Sequence, residues 1–170
     1  MELMFDLETM STNPDAAIVS IGACKWDGEG IHDTFYAAIS LADSLRYGLH
    51  KDPDTVAWWK KQPIEATLAW AQDGKPLKQA LQEFVDWLGP DAKDHTYYCW
   101  GLNFDVPILA TSLERVGIEK PWKYWNLRCA RTIHAVFDTG KIAKREGVYH
   151  NAKDDAVTQA TELIRILNAG

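Results

Sequence analysis

Cysteine is scarce in this chain, and the cysteines that are present are poorly placed for cross-linking. There are three, Cys24, Cys99 and Cys129, an odd number with no C-x-x-C pair and with apolar neighbours. A cysteine in apolar surroundings behaves as a small hydrophobic residue. We therefore expect neither a disulfide framework nor a zinc site.

Long apolar runs are also missing, and so are the sequence signs of several domains. No hydrophobic stretch reaches the length of a membrane span. No Pro/Gly/Ser-rich linker, block of like charge or internal repeat divides the 170 residues, of which 46% are hydrophobic. Residues 1–170 are therefore predicted to form a single domain. Cleavage of a signal peptide would remove Asp6 and Glu8, which belong to the motifs below, so we expect a cytoplasmic protein.

A positive charge balance is the third absence. The 24 acidic residues outnumber the 18 lysines and arginines, and the formal net charge of −6 has the wrong sign for a protein that coats nucleic acid. Contact with a nucleic acid should then be local and should involve a few basic residues. The alternative interpretation is that these are ordinary solvated surface residues. The candidates are Lys60, Lys61, Arg128, Arg131, Lys141, Lys144, Arg145 and Lys153.

What the chain does contain is three short motifs with acidic residues. The first lies in the apolar segment Leu3–Glu8, which is typical of a short buried strand. Side chains two residues apart on a strand point to the same side, so Asp6 and Glu8 should project together. Glu8 could instead begin an exposed loop. An acid between Phe5 and Leu7, however, would be costly to bury without a charge partner or a metal.

The second motif lies at the start of a predicted helix. Tyr97–Trp100 is typical of a strand that Gly101 ends, and Asn103 is a suitable N-cap for a helix that ends at Gly117. Asp105 falls in the first turn of this helix. An acid there is also favoured by the helix dipole alone, without any catalytic role.

The third motif opens the last predicted helix and combines His150 with Asp155. The apolar stripe of this helix repeats about every 3.6 residues and comprises Val157, Ala160, Leu163, Ile164 and Leu167. Asp155 lies well off the centre of the stripe, so it can face a cleft. On the plainer interpretation, His150 is a solvated loop residue and Asp155 only complements the helix dipole.

Together these residue types suit the cleavage of phosphodiesters. Four carboxylates that converge in a fold can hold two divalent cations, because Mg²⁺ prefers hard oxygen ligands. Asp6 is the natural bridge between the two ions. A neutral histidine beside them, His150, can accept a proton from the attacking water.

The order and spacing of the D-x-E, N-x-D and H-x-x-x-x-D motifs resemble the exonuclease motifs of the DEDDh family, the DnaQ-like 3′→5′ exonucleases. The resemblance extends from residue 6 to residue 155. It implies a ribonuclease H-like fold and hydrolysis of single-stranded DNA or RNA from the 3′ end to nucleoside 5′-monophosphates. It also implies two Mg²⁺ or Mn²⁺ ions bound by Asp6, Glu8, Asp105 and Asp155, with His150 as the general base.

A narrower similarity is to a phage and bacterial subgroup that includes the exoribonuclease RNase AS and exodeoxyribonuclease VIII-like proteins. It rests on segments 54–59 and 121–132, which read DTVAWW and PWKYWNLRCART. The first motif departs from many relatives, which continue Glu-Thr-Thr-Gly where this chain has Glu8, Thr9, Met10 and Ser11. Backbone contacts of this segment with a terminal nucleotide should differ accordingly.

The order of the predicted elements agrees with an α/β fold. Ala17–Ala23 is predicted as a second strand, Asp27–Gly30 as a turn and Thr34–Ile39 as a third strand. The first three strands should therefore form an antiparallel meander. Leu77–Leu88 has helical spacing and ends at Gly89. Alternating helices and strands after the meander predict a mixed sheet, with additional parallel strands, flanked by helices.

Several residues near the motifs are candidates for substrate contact. Trp58 and Trp59 are neighbours on a predicted helix and cannot readily both face one core, so we interpret them as base-stacking candidates. Leu7 and Met10 can wedge against the last base. Further candidates by position are Thr9, Asn103, Arg128, Arg131 and Asn151. The tryptophans expected in the core are Trp26, Trp70, Trp87 and Trp100.

Two other functions stay open at this point. A ribonuclease H-like endonuclease or strand transferase would use a similar carboxylate cluster without needing the His150 to Asp155 arrangement. A non-catalytic nucleic-acid-binding module could keep the fold, although intact identities at all five positions argue against it. The choice between DNA and RNA depends on a 2′-hydroxyl contact that no residue can be assigned to. Small members of the superfamily are often homodimers, which makes a homodimer an expectation for this chain.

Overall fold

A computed structural model describes residues 1–72, 74–137 and 147–169 of the chain. Of the basic residues named above, Lys141, Lys144 and Arg145 lie outside these ranges. The strands are β1 (Glu2–Thr9), β2 (Ile18–Asp27), β3 (Gly30–Ala38), β4 (Thr96–Cys99) and β5 (Leu127–Cys129). The helices are α1 (Leu41–Arg46), α2 (Pro53–Trp59), α3 (Ile64–Ala71), α4 (Leu77–Leu88), α5 (Leu102–Val116), α6 (Ala130–Phe137) and α7 (Ala152–Ala169). None of these helices combines the length and the hydropathy of a membrane span.

The strands form one mixed sheet in the order β3-β2-β1-β4-β5. β1 pairs antiparallel with β2, and β2 pairs antiparallel with β3. β4 is parallel to β1 and β5 is parallel to β4, which requires the helical crossovers that connect them. The predicted meander and mixed sheet are therefore confirmed.

Some predicted boundaries differ from those of the structure. β2 and β3 extend to the turn at Gly28 and Glu29, where the Asp27 carboxylate accepts the backbone N–H of Glu29 at 2.8 Å. The prediction ended β2 early because Lys25 and Asp27 interrupt its apolar pattern, but backbone pairing with β3 carries the strand through them. The helix cap was also placed wrongly: α5 begins at Leu102 with Gly101 as its N-cap, so Asn103 is a helical residue.

Helices cover both faces of the sheet, and the alternation of β1 assigns its side chains to two cores. Leu3, Phe5 and Leu7 point into the larger core, which α4 and α5 complete. Met4 points into the smaller core, which α6 and α7 complete. Because side chains alternate along a strand, Asp6 and Glu8 follow Met4 on the face that α7 covers.

Gly22 on β2 allows α7 to approach this face of the sheet closely. It is the pairing partner of Asp6 in the sheet. A Cβ atom on Gly22 would lie 2.1 Å from the backbone nitrogen of Lys153 and 2.2 Å from the carbonyl carbon of Ala152. No side chain fits in this gap. The first turn of α7 therefore lies directly beside the strand that carries Asp6.

Candidate active site

The acids of the first two motifs lie at the carboxyl ends of neighbouring parallel strands. Asp6 and Glu8 are in the last half of β1, and Asp105 is in the first turn of α5, directly after β4. The carboxyl ends of parallel strands are where open α/β sheets bind their ligands. The order of the strands thus brings Asp105 next to β1 although it is distant in sequence.

The third motif reaches the same place through α7. The side chain of Asn151 caps this helix, since its Oδ1 atom accepts the backbone N–H groups of Lys153 and Asp154 at 3.1 and 3.2 Å. Asp155 follows in the first turn and is 7% exposed. The N-termini of α5 and α7 therefore each place an acid where the helix dipole favours negative charge.

All five predicted catalytic residues line one cavity of about 230 Å³, which we call the catalytic cavity. The structure thus brings together three segments that are far apart in the chain. The complete lining consists of Asp6, Leu7, Glu8, Trp100, Gly101, Phe104, Asp105, Arg131, His150, Asp155 and Gln159.

Within the catalytic cavity, Glu8, His150 and Asp155 are grouped tightly enough to hold a metal ion. One potential ligand atom of each lies within 4.8 Å of those of the other two. Asp6 and Asp105 add carboxylate oxygens to the lining of the same cavity. A donor set dominated by carboxylate oxygens suits Mg²⁺ and Mn²⁺ better than softer metals.

The environment of Asp105 opposes an ionised carboxylate. Burial raises its pKa to about 7, although backbone hydrogen bonds from Gly101 and Leu7 and the charge of Arg131 lower the pKa in part. Since Arg131 is exposed, its compensation is screened by solvent. A divalent cation in the cavity would supply the missing positive charge at close range.

His150 is held in an unusual backbone conformation beside three aromatic rings. Its φ of 61° makes it the one non-glycine residue with positive φ in the described part of the chain. Its ring packs edge-on against those of Trp58, Trp59 and Tyr149, with centroid distances of 4.8, 6.1 and 3.9 Å. The preceding turn is tied to α7, since the backbone N–H of Val148 donates to the Asp154 carboxylate at 2.8 Å. The aromatic rings thus restrict the imidazole, and the hydrogen bond to Asp154 restricts the backbone that carries it.

A second cavity of about 480 Å³ adjoins the catalytic cavity, and we call it the outer cavity. The two share Leu7, Glu8 and Phe104 as lining residues. The outer cavity is also lined by Thr9 and Trp58, both predicted substrate contacts. Its size falls within the range of small-ligand sites.

The paired tryptophans of α2 have different surroundings. Trp58 is 41% exposed at the outer cavity, whereas Trp59 is only 4% exposed. The Trp59 indole N–H donates to the Thr9 carbonyl at 2.9 Å, and its ring packs edge-on against Trp70. Trp58 keeps a surface that a base can stack on, while Trp59 mainly supports the wall behind it.

The other predicted substrate contacts are distributed between the cavities, the core and the surface. Leu7 and Arg131 line the catalytic cavity. Met10 is buried, and Asn103 is exposed in the second position of α5. Arg128 is exposed on the edge strand β5, outside the lining of both cavities, and donates to the Trp125 carbonyl at 2.5 Å. Only part of the predicted set is therefore grouped around the catalytic cavity.

Four further lining residues were not predicted as site residues from sequence: Trp100, Gly101, Phe104 and Gln159. Gln159 lies one turn after Asp155 on α7, and its Nε2 atom donates to Asp6 Oδ1 at 3.1 Å. The i, i+4 spacing was the available signal, because it places both side chains on one helix face. Trp100 was expected in the core, but it packs against the smaller core and also borders the catalytic cavity.

Solved structures with a similar fold include the following three. The nuclease domain of 3′hExo, a DEDDh family member bound to rAMP, matches with a TM-score of 0.66 and 14% identity over 99% of this chain and 92% of that chain. The S. pombe Pop2p structure with Mg²⁺ and Mn²⁺ bound matches with a TM-score of 0.61 and 13% identity, over 96% of this chain and 81% of that chain. Cell-death related nuclease 4 (CRN-4) matches with a TM-score of 0.57 and 16% identity, over 99% of this chain and 64% of that chain. No curated protein sequence matches the chain closely enough to count as a relative.

The sheet order, the helices on both faces and these structural neighbours define the fold as ribonuclease H-like. Within this fold class, the chain belongs to the Rv2179c-like 3′-5′ exoribonuclease domain family, whose model matches residues 1–167. The protein is a 3′-5′ exonuclease. The DEDDh resemblance and the ribonuclease H-like fold predicted from the sequence are confirmed.

Proposed function

We propose that the protein removes nucleotides one at a time from the 3′ end of single-stranded RNA and releases nucleoside 5′-monophosphates. The observation that carries this proposal is the convergence of Asp6, Glu8, Asp105, His150 and Asp155 on one cavity. RNA is favoured over DNA because the family is one of exoribonuclease domains. The rAMP bound to 3′hExo supports a ribonucleotide product.

The four acids are proposed to hold two divalent cations, Mg²⁺ or Mn²⁺. When bound, such ions supply positive charge that lowers the pKa of water and stabilises the departing 3′ oxygen. Asp6, Glu8, Asp105 and Asp155 would provide the oxygens for them, and in their ionised form the four carboxylates would balance the formal charge of the two ions. The Mg²⁺- and Mn²⁺-bound state of the Pop2p neighbour agrees with this choice of metal.

His150 is proposed to accept a proton from the attacking water. Its ring lies at the edge of the carboxylate group and is fixed by Trp58 and Tyr149. Although its nitrogen is close enough to Glu8 and Asp155 to ligate a cation, four carboxylates already satisfy the preference of Mg²⁺ for oxygen. A neutral imidazole near neutral pH is better suited to accepting the proton.

The terminal nucleotide is proposed to enter from the outer cavity. Leu7 and Glu8 border both cavities, so a nucleotide lying along them would place its base in the outer cavity beside Trp58 and its phosphate among the acids. Arg131 is the exposed cation of the catalytic cavity. It is placed to attract the negatively charged strand to this end of an acidic protein.

Three expectations from the sequence stay predictions. They are the single exonuclease domain over residues 1–170, the homodimer and the cytoplasmic location.

The function is tested with matched RNA and DNA oligomers, single- and double-stranded, labelled at the 5′ end and carrying a free or a blocked 3′ end. With Mg²⁺ or Mn²⁺, we expect single-stranded RNA with a free 3′ end to shorten stepwise and release 5′-monophosphates. Asp155→Asn should reduce turnover to background, whereas the matched surface variant Asp86→Asn on α4 should keep it. Activity that persists in EDTA, or internal cleavage of a blocked oligomer, would contradict the mechanism. Faster degradation of DNA would reassign the substrate.

The role of His150 is tested with His150→Ala. Loss of a general base typically lowers the rate by about 10²- to 10⁴-fold, so kcat should fall within that range while oligomer binding persists. His32→Ala serves as the control histidine, since His32 lies on β3 outside the lining of the catalytic cavity. A loss of only a few-fold for His150→Ala would assign the proton transfer elsewhere.

A further inference from the structure

We propose that Gln159 is a positioning residue for the cation site, and that it acts by holding the Asp6 carboxylate with a neutral hydrogen-bond donor. The inference rests on the proposed function, because it assigns a role to Gln159 toward the same proposed cations. It concerns a residue that the motifs do not include.

The first step is the contact itself. Gln159 Nε2 donates to Asp6 Oδ1 at 3.1 Å, and Gln159, Asp6 and Asp155 line the same cavity. The assignment of the amide is fixed by its partner, since the reverse orientation would bring the Gln159 oxygen against a carboxylate oxygen. The contact joins α7 to β1 at the acid that we expect to bridge the two cations.

The second step concerns what the contact leaves available. A carboxylate offers about four lone-pair sites on its two oxygens. The amide of Gln159 uses one of them on Oδ1 and fixes the rotation of the Asp6 carboxyl group. The contact does not involve Oδ2, so Gln159 does not itself prevent Asp6 from bridging two cations. Partners that orient a ligating side chain in this way are as much a part of a metal site as the ligands.

The third step is the charge of the donor. A lysine or an arginine at position 159 could also hold Asp6, but its positive charge would oppose cations in a cavity of about 230 Å³. An amide donates without adding charge. The neutral side chain therefore orients Asp6 and leaves the negative potential of the four acids intact.

The other end of the Gln159 amide agrees with a role beyond packing. Its Oε1 atom is buried and has no hydrogen-bond partner among the residues that the structure describes. A buried acceptor without a partner is destabilising, so a residue that served only for packing would be better as an apolar side chain of the same length. Gln159 bears this cost on the helix face that it shares with Asp155.

The test measures Mn²⁺ binding to the full chain by isothermal titration calorimetry, without substrate, beside single-turnover hydrolysis of an RNA oligomer. Gln159→Met keeps the length and volume but removes the donor, and Gln159→Lys keeps a donor but adds charge. Both should weaken Mn²⁺ binding by about 10- to 100-fold, the usual loss when a partner of a metal ligand is removed. Thr161→Val is the matched control, since Thr161 is exposed on the same helix, and it should bind Mn²⁺ like the parent.

The outcomes separate this proposal from the proposed function. Unchanged Mn²⁺ binding by Gln159→Met would overturn the positioning role, and tight binding by Gln159→Lys would overturn the argument from charge. Thermal unfolding in EDTA shows whether each variant folds, and Gln159→Asn, which is too short to reach Asp6, replaces any variant that does not. A parent protein that binds Mn²⁺ but degrades no RNA would refute the proposed function alone.

Discussion

Asp105, which we propose as a cation ligand, lies in surroundings that oppose its ionisation. It is 4% exposed, and burial raises its pKa to about 7 despite the backbone hydrogen bonds that it accepts. Without a cation, its ionised form is therefore costly near neutral pH. A bound cation would stabilise the ionised form of such a buried carboxyl group and lower its pKa.

Stability measurements on Asp105→Asn can test this environment. Because the pKa of Asp105 is raised on folding, the parent loses stability as pH rises from the unfolded value near 4 through about 7. Asparagine cannot ionise and does not lose stability in this way. In EDTA, the free energy of unfolding of the variant relative to that of the parent should therefore rise by about 1 kcal/mol or more between pH 5 and pH 8. Urea unfolding at both pH values measures the difference. A gain that does not depend on pH would place the cause outside the ionisation of Asp105.

The four acids could be predicted as candidate site residues because each obeys a local rule, but only the order and spacing of the three motifs singled them out together with His150. Asp6 and Glu8 share a strand face, and Asp105 and Asp155 lie in first turns of helices. The roles of Asn103 and Gln159 could not be predicted in this way. Both Gly101 and Asn103 are possible N-caps, and the sequence does not show at which of them the helix begins. The hydrogen bond between Gln159 and Asp6 depends on tertiary packing.

At the scale of elements, the close packing of α7 on β2 decides whether the site assembles. α7 carries Asp155 and Gln159 and follows the turn with His150, and its first turn fits against Gly22. The sheet pairs Gly22 with Asp6. The absence of a side chain at Gly22 therefore determines how close the acids of α7 come to those of β1.

Gly22→Ala should separate these elements. The added Cβ would lie 2.1 Å from backbone that cannot move without displacing the helix. Overpacking of this kind typically costs about 1–3 kcal/mol, and a displacement of about 1 Å at a catalytic group can cost about 100-fold in rate. We expect lower stability in urea and a larger loss of exonuclease turnover.

Gly28→Ala is the matched control for this variant. Its Cβ would meet Asn168 Oδ1 at an ordinary distance of 3.6 Å, in the turn between β2 and β3. It should keep both stability and turnover. Equal losses in the two variants would indicate a general cost of replacing glycine in this hairpin.

The regular elements were predictable where their pattern is repeated several times. The stripe of α7, the spacing of α4 and the alternation of β1 each extend over at least two turns or several strand positions. α6 was not predicted, because it follows β5 without a connecting residue and is only eight residues long. The ends of β2 and β3 were set by pairing between strands, which a single segment does not encode.

For the whole molecule, the charge balance and the site are connected. The net charge is −6, and four of the acids line one small cavity. A cavity lined by four acids favours the binding of cations that offset their negative charge. The acidic composition, which at first argues against a nucleic-acid enzyme, is partly a property of its active site.

Divalent cations should therefore stabilise the fold. At about 100 times the dissociation constant, a ligand specific to the folded state adds about 2.7 kcal/mol, which raises Tm by roughly 5–10 °C for a chain of this size. Differential scanning fluorimetry in Mg²⁺, Mn²⁺ or EDTA measures the shift. KCl at matched ionic strength is the control, and an equal shift in KCl would show that screening alone is responsible. Asp6→Asn should reduce the shift.

Residues from both ends of the described chain complete the catalytic cavity, and this has a consequence for the timing of activity during synthesis. A polypeptide still emerging from the ribosome already contains Asp6, Glu8 and Asp105 but lacks the final helix with Asp155. If Asp155 is one of the cation ligands, as we propose, a nascent chain that lacks this helix is expected to have no exonuclease activity.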